Sequence, residues 1–547
     1  MDIPDLAAGV LIVGAGPTGL TLAIELARRS VPFLLIDRDL IPPTTSRAIG
    51  LQTRTAEMLA LLGIPRTALQ PSLQPRAFCL HEGNHVLARV PFDAPGTGVT
   101  LTVIDETDTE RILQHRLEAL GGAVQRGVEL VSYEADDDGV TATLRDASGE
   151  QTVRARYLVG ADGAHSVVRH LAGIPFEGAA YPEQFILADL DLDWDLSHDE
   201  AHIWIGNGSL AAVLPLPAPN RYRVIMPLAA SETLPDPPTD AAIGEMALRL
   251  LQQRASIPLR LIGAPVWTSA FRISRRQAAR YRQGPVFLAG DAAHVHSPVG
   301  GQGMNTGIQD ACNLGWKLAL AARGQAAPGL LDTYGAERWP VAHQLLRNTD
   351  LATRVVLAQN GLMQEVRRQI VPRVARTAQA RERLLPLVGQ LQVNYRGSFL
   401  AVDAGSAGKH PAGLRAGERV PDQALRDTTG APVSLYGQLA QGWTLLLFPG
   451  ATASPARLAA LAALAAEYQR MAGALVQTLV VATSYTEPIP GATILIDPTG
   501  DTIAAFGAQS GLAALIRPDA YLGYRGPLDA AGPLASYLAR VFAGERV

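Results

Sequence analysis

"VLIVGAGPTGLTLAIELARRSVPFLLID", residues 10–37, reads as strand, tight turn, helix and strand without interruption. Val10 to Val13 is a short, β-branched apolar run suited to a buried parallel strand. Gly14, Gly16 and Gly19 follow in GxGxxG spacing, with Ala15, Pro17 and Thr18 between them. That spacing gives a tight turn at the first glycine and close approach of a pyrophosphate at the second. At the third it lets the helix pack tightly on the strand. Leu20, Ala23, Ile24 and Ala27 share one face of the helix. Its N-terminus offers unpaired N–H groups and a partial positive charge to phosphates. The second strand ends at Asp37, just before Arg38 and 18 residues after Gly19, where a carboxylate can accept hydrogen bonds from a ribose. The stretch predicts a dinucleotide site, and by itself it does not separate NAD from FAD.

A second loop makes that separation. "AGDAAHVHSPVGGQGMN", residues 289–305, lies between the apolar "PVFLAG" and the helix-like "TGIQDACNLGWKLALAAR". A nicotinamide dehydrogenase needs no second cofactor contact about 270 residues after the first, whereas FAD is longer and extends away from the first unit. Asp291, following Gly290, can accept a hydrogen bond from a ribityl hydroxyl, although a cap at a turn is the plain alternative. Gly300, Gly301 and Gly303 let backbone run against a flat ring. A helix starting near Met304 and Asn305 would stabilise negative charge on a reduced flavin. His294 and His296 form an HxH pair without a third ligand at suitable spacing nearby, so no metal is expected and chelation should leave activity unchanged. One of them reads as packed and the other as solvent-facing. Cys312 reads as a buried structural thiol.

"GPVFLAGDAAHVHSPVGGQGMNTGIQDACNLGWKLA" resembles the GD signature of the class A flavoprotein monooxygenases, the para-hydroxybenzoate hydroxylase type. "YLVGADGAHSVVRHLAGI", residues 157–174, resembles their DG signature, with Asp162, Gly163 and Arg169 in place. With the glycine motif, three signatures cover the chain from 10 to about 340. The closest resemblance is to phenol and aromatic-polyketide hydroxylases that carry an extra C-terminal domain.

The resemblance implies roles. Gly14, Gly16, Gly19 and Asp37 would hold the ADP half of FAD. Arg47, in "SRAIGLQTRTAEMLALLGI", would lie near the flavin, and Arg111 would meet the FAD phosphates. Asp162 would support FAD and a transient NADPH (or NADH) encounter. Asp291 would bind ribitol, while Pro298, Gly300 and Gly301 would line the oxygen-reactive face. Two positions depart from the family pattern: Glu106 where relatives often carry Gln, and Ser297 where they often carry proline. Glu106 must then be paired, solvated or protonated, with Arg111 or Arg47 as candidate partner. The implied activity is hydroxylation of a phenolic, possibly polycyclic aromatic substrate by O2 and NAD(P)H through a flavin C4a-hydroperoxide. A Baeyer–Villiger or epoxidising enzyme and a catalytically silent FAD scaffold are the alternatives.

The implied fold is α/β, a Rossmann-like FAD-binding domain interleaved with an antiparallel-sheet substrate domain and followed by a thioredoxin-like domain. Residues 1–75, 105–175 and 270–340 are assigned to the first, 76–104 and 176–269 to the second. Residues 341–395 read as a helical connector broken at Pro340 and Pro372, 403–422 as a linker, and 410–547 as the last domain, without CxxC. That domain is expected to have a stabilising or oligomerising role, and its deletion to cost solubility or thermal stability while leaving the flavin spectrum intact. "FILADLDLDW", "AHIWIG", "SLAAVLPL" and "YRVIMPL" read as strands, with turns at Asn207-Gly208 and Pro219-Asn220. Trp204, Tyr222 and Met226 could face the substrate, the sheet core or the exterior. No arginine stands out as a clamp for a substrate carboxylate, so a neutral phenol is favoured.

Composition narrows the rest. Of 547 residues 48% are hydrophobic and 18% charged, enough apolar content for two to four domains. A net charge of −4 argues against a nucleic-acid partner. Cys79 and Cys312 are the only cysteines, which fits a reduced, cytoplasmic setting. No signal peptide or membrane span is expected, and the state is read as monomer or homodimer.

Overall fold

All four residues of the Val10–Val13 strand are buried, because parallel neighbours flank it on both sides. Its sheet runs Arg282–Gln283, Val286–Leu288, Tyr157–Gly160, Val10–Val13, Phe33–Asp37, Val124–Arg126. Only the first pairing is antiparallel. Gly14 sits at φ +102°, and a Cβ there would lie 2.4 Å from the Ala161 carbonyl oxygen. A Cβ on Gly19 would lie 1.9 Å from the Gly14 carbonyl oxygen, so the Pro17–Ala27 helix can reach the strand only with glycine there. The computed structural model describes residues 6–543 except 46–47, 93–97, 207–208, 230, 297–300, 358–376, 378–381, 383–384, 406–411, 441, 451–454, 485–487 and 529–530.

The four predicted runs form Phe176–Asp193, Glu200–Gly206, Ser209–Pro215 and Arg221–Pro227 in a nine-stranded sheet. The pairings are antiparallel except where Glu200–Gly206 lies alongside Ala77–Glu82. The Asp240–Ala255 helix covers one face through Ile243, Ala247, Leu250 and Leu251. Trp204, Tyr222 and Met226 are buried in that layer, so they are sheet core. Asp189, Leu187, Ile225 and Arg223 alternate with them and occupy the other face. That face looks toward the FAD-type sheet, since the Arg223 guanidinium comes within 3.9 Å of Asp105 at the start of the Glu106–Ala119 helix. Asn220, at φ +59°, makes the expected turn; Asn207-Gly208 lies outside the described residues.

Two features differ from the sequence reading. The Asp332–Leu357 helix continues through Pro340. The roughly 3 kcal/mol cost of proline inside a helix is offset because both sides of it are anchored: Tyr334 and Arg338 before it and Ala342 and Leu346 after it are buried. Pro372 lies outside the described residues. The stretch read as a linker is packed where it is described: Val420 is fully buried and the Gly417 N–H donates to the Leu522 carbonyl.

The C-terminal part is an eight-stranded mixed sheet. Trp443–Phe448, Val476–Ala482 and Thr493–Ile496 run parallel, and Leu512–Ile516 and Leu522–Gly526 continue it antiparallel. One face of it packs a cluster made mostly of its own side chains, among them Leu445, Leu461, Leu515 and Leu534, and the other face joins the rest of the chain. Leu425, Leu435, Phe448 and Leu522 belong to the same apolar cluster as Val10 and Ile12.

Candidate functional site

The two cofactor-type loops are brought together by a seam of small residues. Thr18 lies so close that a Cβ on Gly290 would sit 2.5 Å, and one on Gly307 2.3 Å, from its Oγ1. The second loop leaves the Val286–Leu288 strand through a turn at Gly290–Ala292. It then adds His294–Val295 to the edge of the substrate-side sheet and re-enters the interior as the Gly303–Ala322 helix. It therefore belongs to both sheets. Arg169 of the DG stretch clamps it from a third side by donating to the Ala292 carbonyl at 3.0 Å.

Asp310, inside the Gly303–Ala322 helix, fixes the loop. Its Oδ2 accepts from the Gly290 N–H at 3.1 Å and meets His294 Nε2 at 2.7 Å; Oδ1 accepts from Arg338 Nε at 2.6 Å. Burial works against its charge, yet Arg338 and His294 hold its carboxyl below the ordinary range. His294 is thus the packed histidine, with Nε2 on Asp310; His296 is half-buried. Sequence reading missed Asp310 and Arg338. A signal for the first existed: Asp310, Asn313 and Lys317 recur at one-face spacing in a helix whose residues are otherwise apolar after Gln309.

Of the predicted positions, Arg47, Pro298 and Gly300 lie outside the described residues. Asp37 closes the glycine loop, accepting from the Ala15 N–H at 2.7 Å and from the Asp39 N–H at 2.9 Å. Arg38 is solvent-exposed beside Asp39. Asp291 is exposed near the start of the Gly303 helix, its Oδ1 4.0 Å from the Cβ position of Gly303. Gly301 is at φ +60°, and Met304 packs against the main core. The Asn305 side chain is wholly buried: it donates to the carbonyls of Gly50 and Gly301 and accepts from the Gln52 N–H.

Arg111 points outward. Its guanidinium, about half exposed, bonds Asp108 and the Gln70 carbonyl. Neighbours in a helix differ by about 100° in direction, and it is Glu110 that takes the inward position, with Oε1 3.8 Å from the Cβ position of Gly16. Glu106 accepts from the Ala48 N–H, next to the predicted Arg47. Burial, and then the charge of Glu106, pushes the Glu110 carboxyl up to about 8. A carboxyl raised from 4.5 to about 8 by folding contributes its stability fully below about pH 4.5 and loses it as pH rises to about 8. Melting temperature should therefore decline across that window in the parent protein, and Glu110→Gln should flatten the decline. An unchanged pH profile in the variant would place the titration elsewhere.

The arrangement fits a flavin dinucleotide. The Pro17–Ala27 helix starts at Gly16 with no side-chain cap, so its first N–H groups are available to a pyrophosphate. Among the described residues beyond its chain neighbours, only Glu110 comes within 4 Å of the Gly16 Cβ position. Asp162 spends Oδ2 on the N–H groups of Val167 and Val168, while its buried Oδ1 has no partner among the described residues. A ligand hydroxyl would satisfy that oxygen. The Gly303–Ala322 helix also begins without a side-chain cap.

The comparisons with known proteins agree with this geometry. Residues 7–349 match the family model described as FAD binding domain. The chain is 34% identical over 532 residues to pentachlorophenol 4-monooxygenase of Sphingobium chlorophenolicum, covering 95% of this chain and 94% of that one. It is 35% identical over 529 residues to 6-methylpretetramide 4-monooxygenase of Streptomyces rimosus, covering 94% and 90%. The solved ternary complex of aklavinone-11 hydroxylase with FAD and aklavinone superposes with a TM-score of 0.76 at 27% identity, over 98% of this chain and 99% of that one. The chain belongs to the FAD-binding-domain family and, within it, to the class A FAD-dependent aromatic monooxygenases.

Proposed function

We propose that this enzyme hydroxylates a neutral, multi-ring phenol with NAD(P)H as reductant. The observation that carries the reading is the sheet face turned toward the FAD-binding domain. It presents Phe185, Leu187 and Ile225, and Phe271 lies 6.2 Å from Phe185 in a stacked pair. Of the arginines on that face, Arg221 is paired with Asp191, and Arg223 is bound through two nitrogens to Asp189 at 2.7 Å each. Its charge is neutralised locally, so it does not offer the clamp that a carboxylate substrate needs. A broad apolar wall with a self-paired cation suits fused rings bearing hydroxyls. The relatives named for pentachlorophenol, 6-methylpretetramide and aklavinone support the same class.

Bound FAD supplies the redox chemistry, accepting a hydride from NAD(P)H and passing one atom of O2 to the ring while the other becomes water. The chain supplies position and charge. Gly14, Ala15, Gly16, Pro17, Thr18 and Gly19 cradle the pyrophosphate, Asp37 orients a ribose, and Asp162 holds a cofactor hydroxyl. Asp291 receives a ribityl hydroxyl, and the Gly301–Asn305 backbone meets the flavin ring at a helix N-terminus. Burial of the apolar face excludes water from the reacting carbon. The C-terminal sheet order supports a thioredoxin-like module without dithiol chemistry, since Cys79 and Cys312 both lie outside it. Those two buried free thiols suit a cytoplasmic setting. No helix among the described residues is long and apolar enough to cross a membrane.

Two measurements test this. A panel of neutral polycyclic phenols should stimulate NADPH oxidation more than simple hydroxybenzoates do, with one labelled oxygen appearing on a ring carbon. Preference for the acids, or oxygen inserted into a ring, would overturn the substrate or the reaction type. Hydrogen bonds to charged groups contribute about 1.5–3 kcal/mol, so Asp291→Ala should weaken FAD binding roughly 10- to 150-fold. Full retention of FAD at nanomolar concentration would remove Asp291 from the ribityl site.

A further inference from the structure

A second cluster of chemistry-bearing side chains lies on the opposite face of the substrate-side sheet. Cys79 and His81 are alternate residues of the Ala77–Glu82 strand. The Glu200–Gly206 strand runs parallel beside it, with His202 opposite Cys79 and Trp204 opposite His81. Cys79, His81 and His202 are each no more than 3% exposed. Their ligating atoms all lie within 4.8 Å of one another, and His81 Nε2 is 3.1 Å from His202 Nδ1.

Each donor is also held from behind. His202 Nε2 is 3.0 Å from the Ser197 carbonyl, which can only accept. The ring proton therefore resides on Nε2, and the Nδ1 lone pair faces the cluster. Ligating histidines are oriented in this way, by giving the other N–H to a carbonyl or carboxylate. The His81 ring stacks on Trp204 at 4.6 Å, and the Trp204 indole is fixed by a 3.0 Å bond to the Gly83 carbonyl. The Cys79 thiol donates to Glu200 Oε2 at 2.9 Å, and Glu200 is anchored by Arg89 at 2.6 Å.

We propose that Cys79, His81 and His202 form a binding site for a zinc ion. Tetrahedral zinc, with bonds of about 2.0–2.1 Å to nitrogen, sets two nitrogen ligands roughly 3.3 Å apart. The observed 3.1 Å between the imidazoles therefore needs only a slight spread. Binding converts the Cys79 thiol to a thiolate. The proton passes to Glu200, whose side chain is 17% exposed and leads to solvent. His81 shifts its ring proton to Nδ1 as Nε2 takes the metal, so one proton is released per ion. The site lies in the layer beneath the Asp240–Ala255 helix, on the far face from Asp189 and Arg223. The ion is a pin joining the Ala77–Pro91 hairpin to a distant strand, through His81 and His202 that stand 121 residues apart; it takes no part in the flavin chemistry.

The test uses the FAD-loaded full chain, stripped with chelator and dialysed against zinc. The expected result is one zinc per chain, with an X-ray absorption spectrum showing one sulfur and two nitrogen ligands, and a melting temperature that rises with zinc. Cys79→Ser and His202→Gln should each lower zinc affinity at least about 100-fold, and Glu200→Gln on the order of 10- to 100-fold. Cys312→Ala should bind as the parent does. Absence of stoichiometric zinc in the parent, a spectrum without sulfur, or undiminished binding in a folded Cys79→Ser protein would each overturn the site. The parent spectrum decides the matter even if a variant fails to fold.

Discussion

Replacing Glu337 with alanine is expected to lower the unfolding free energy by about 3–5 kcal/mol, the range found when one partner of a buried ion pair is removed. The Glu337 carboxylate is wholly buried and receives two bonds from Arg517, at 2.6 and 2.8 Å. It also receives one from Lys317 at 2.8 Å, one from Asn313 and one from Ser398. Lys317 and Arg517 are 0% and 1% exposed at their side chains. Taking the acid away would leave two desolvated cations. Arg517 would keep Asp519 at 2.7 Å, and Lys317 would keep only the Asn313 carbonyl oxygen of the bonds described. Burial already draws Lys317 down to about 8, so it would lose its proton first. Glu337→Gln retains the shape and some hydrogen bonds and should cost less than alanine. Urea unfolding decides this. The alanine midpoint should fall with an unchanged slope, and a change under about 0.5 kcal/mol, the size of an ordinary surface effect, would mean that the network contributes nothing.

That network shows where sequence reading ends. Gly14, Gly19 and Asp37 were legible because their chemistry is local: a turn, a close approach and a strand end lie within one unit. The four strands of the substrate-side sheet were legible from alternation. Trp204 and Tyr222 could not be placed, because both faces of their sheet are covered and the pattern loses its polar half. The burial of Glu110 beside the exposed Arg111 was not legible, because a one-residue step on a helix exchanges inside for outside. Glu337 and Arg517 are 180 residues apart, and Cys79 and His202 come from strands that become neighbours only when the sheet closes. The Pro340 break failed because a propensity is local whereas the anchors on either side of it are tertiary.

A chain ending before Leu400 should be recovered without FAD, if it is recovered folded at all. From sequence alone the C-terminal module reads as a support whose removal leaves the flavin site untouched. Its contacts run the other way. Trp316, Leu320 and Leu330 of the FAD-binding part share one buried cluster with Trp443, Leu445 and Leu515 of the module, and Trp316 meets Trp443 edge-on at 5.2 Å. Exposing three large apolar side chains costs about 1.5–3 kcal/mol each. Truncation also removes Arg517 from Glu337, and removes from the buried Arg54 guanidinium both the Tyr436 hydroxyl and the Asp519 carbonyl. Unpaired buried charges add about 3–5 kcal/mol, which brings the loss into the 5–15 kcal/mol range of a whole domain's stability. The damage falls on the cofactor's own supports. Trp316 and Asn313 are on the Gly303–Ala322 helix, whose Asp310 holds Gly290 and whose Asn305 holds the Gly50–Gln52 strand just before Arg54. Flavin content per chain and far-ultraviolet circular dichroism of the truncated protein measure the outcome. A folded, soluble truncation that kept one FAD per chain with the parent's spectrum would show that the shared core is dispensable to the site.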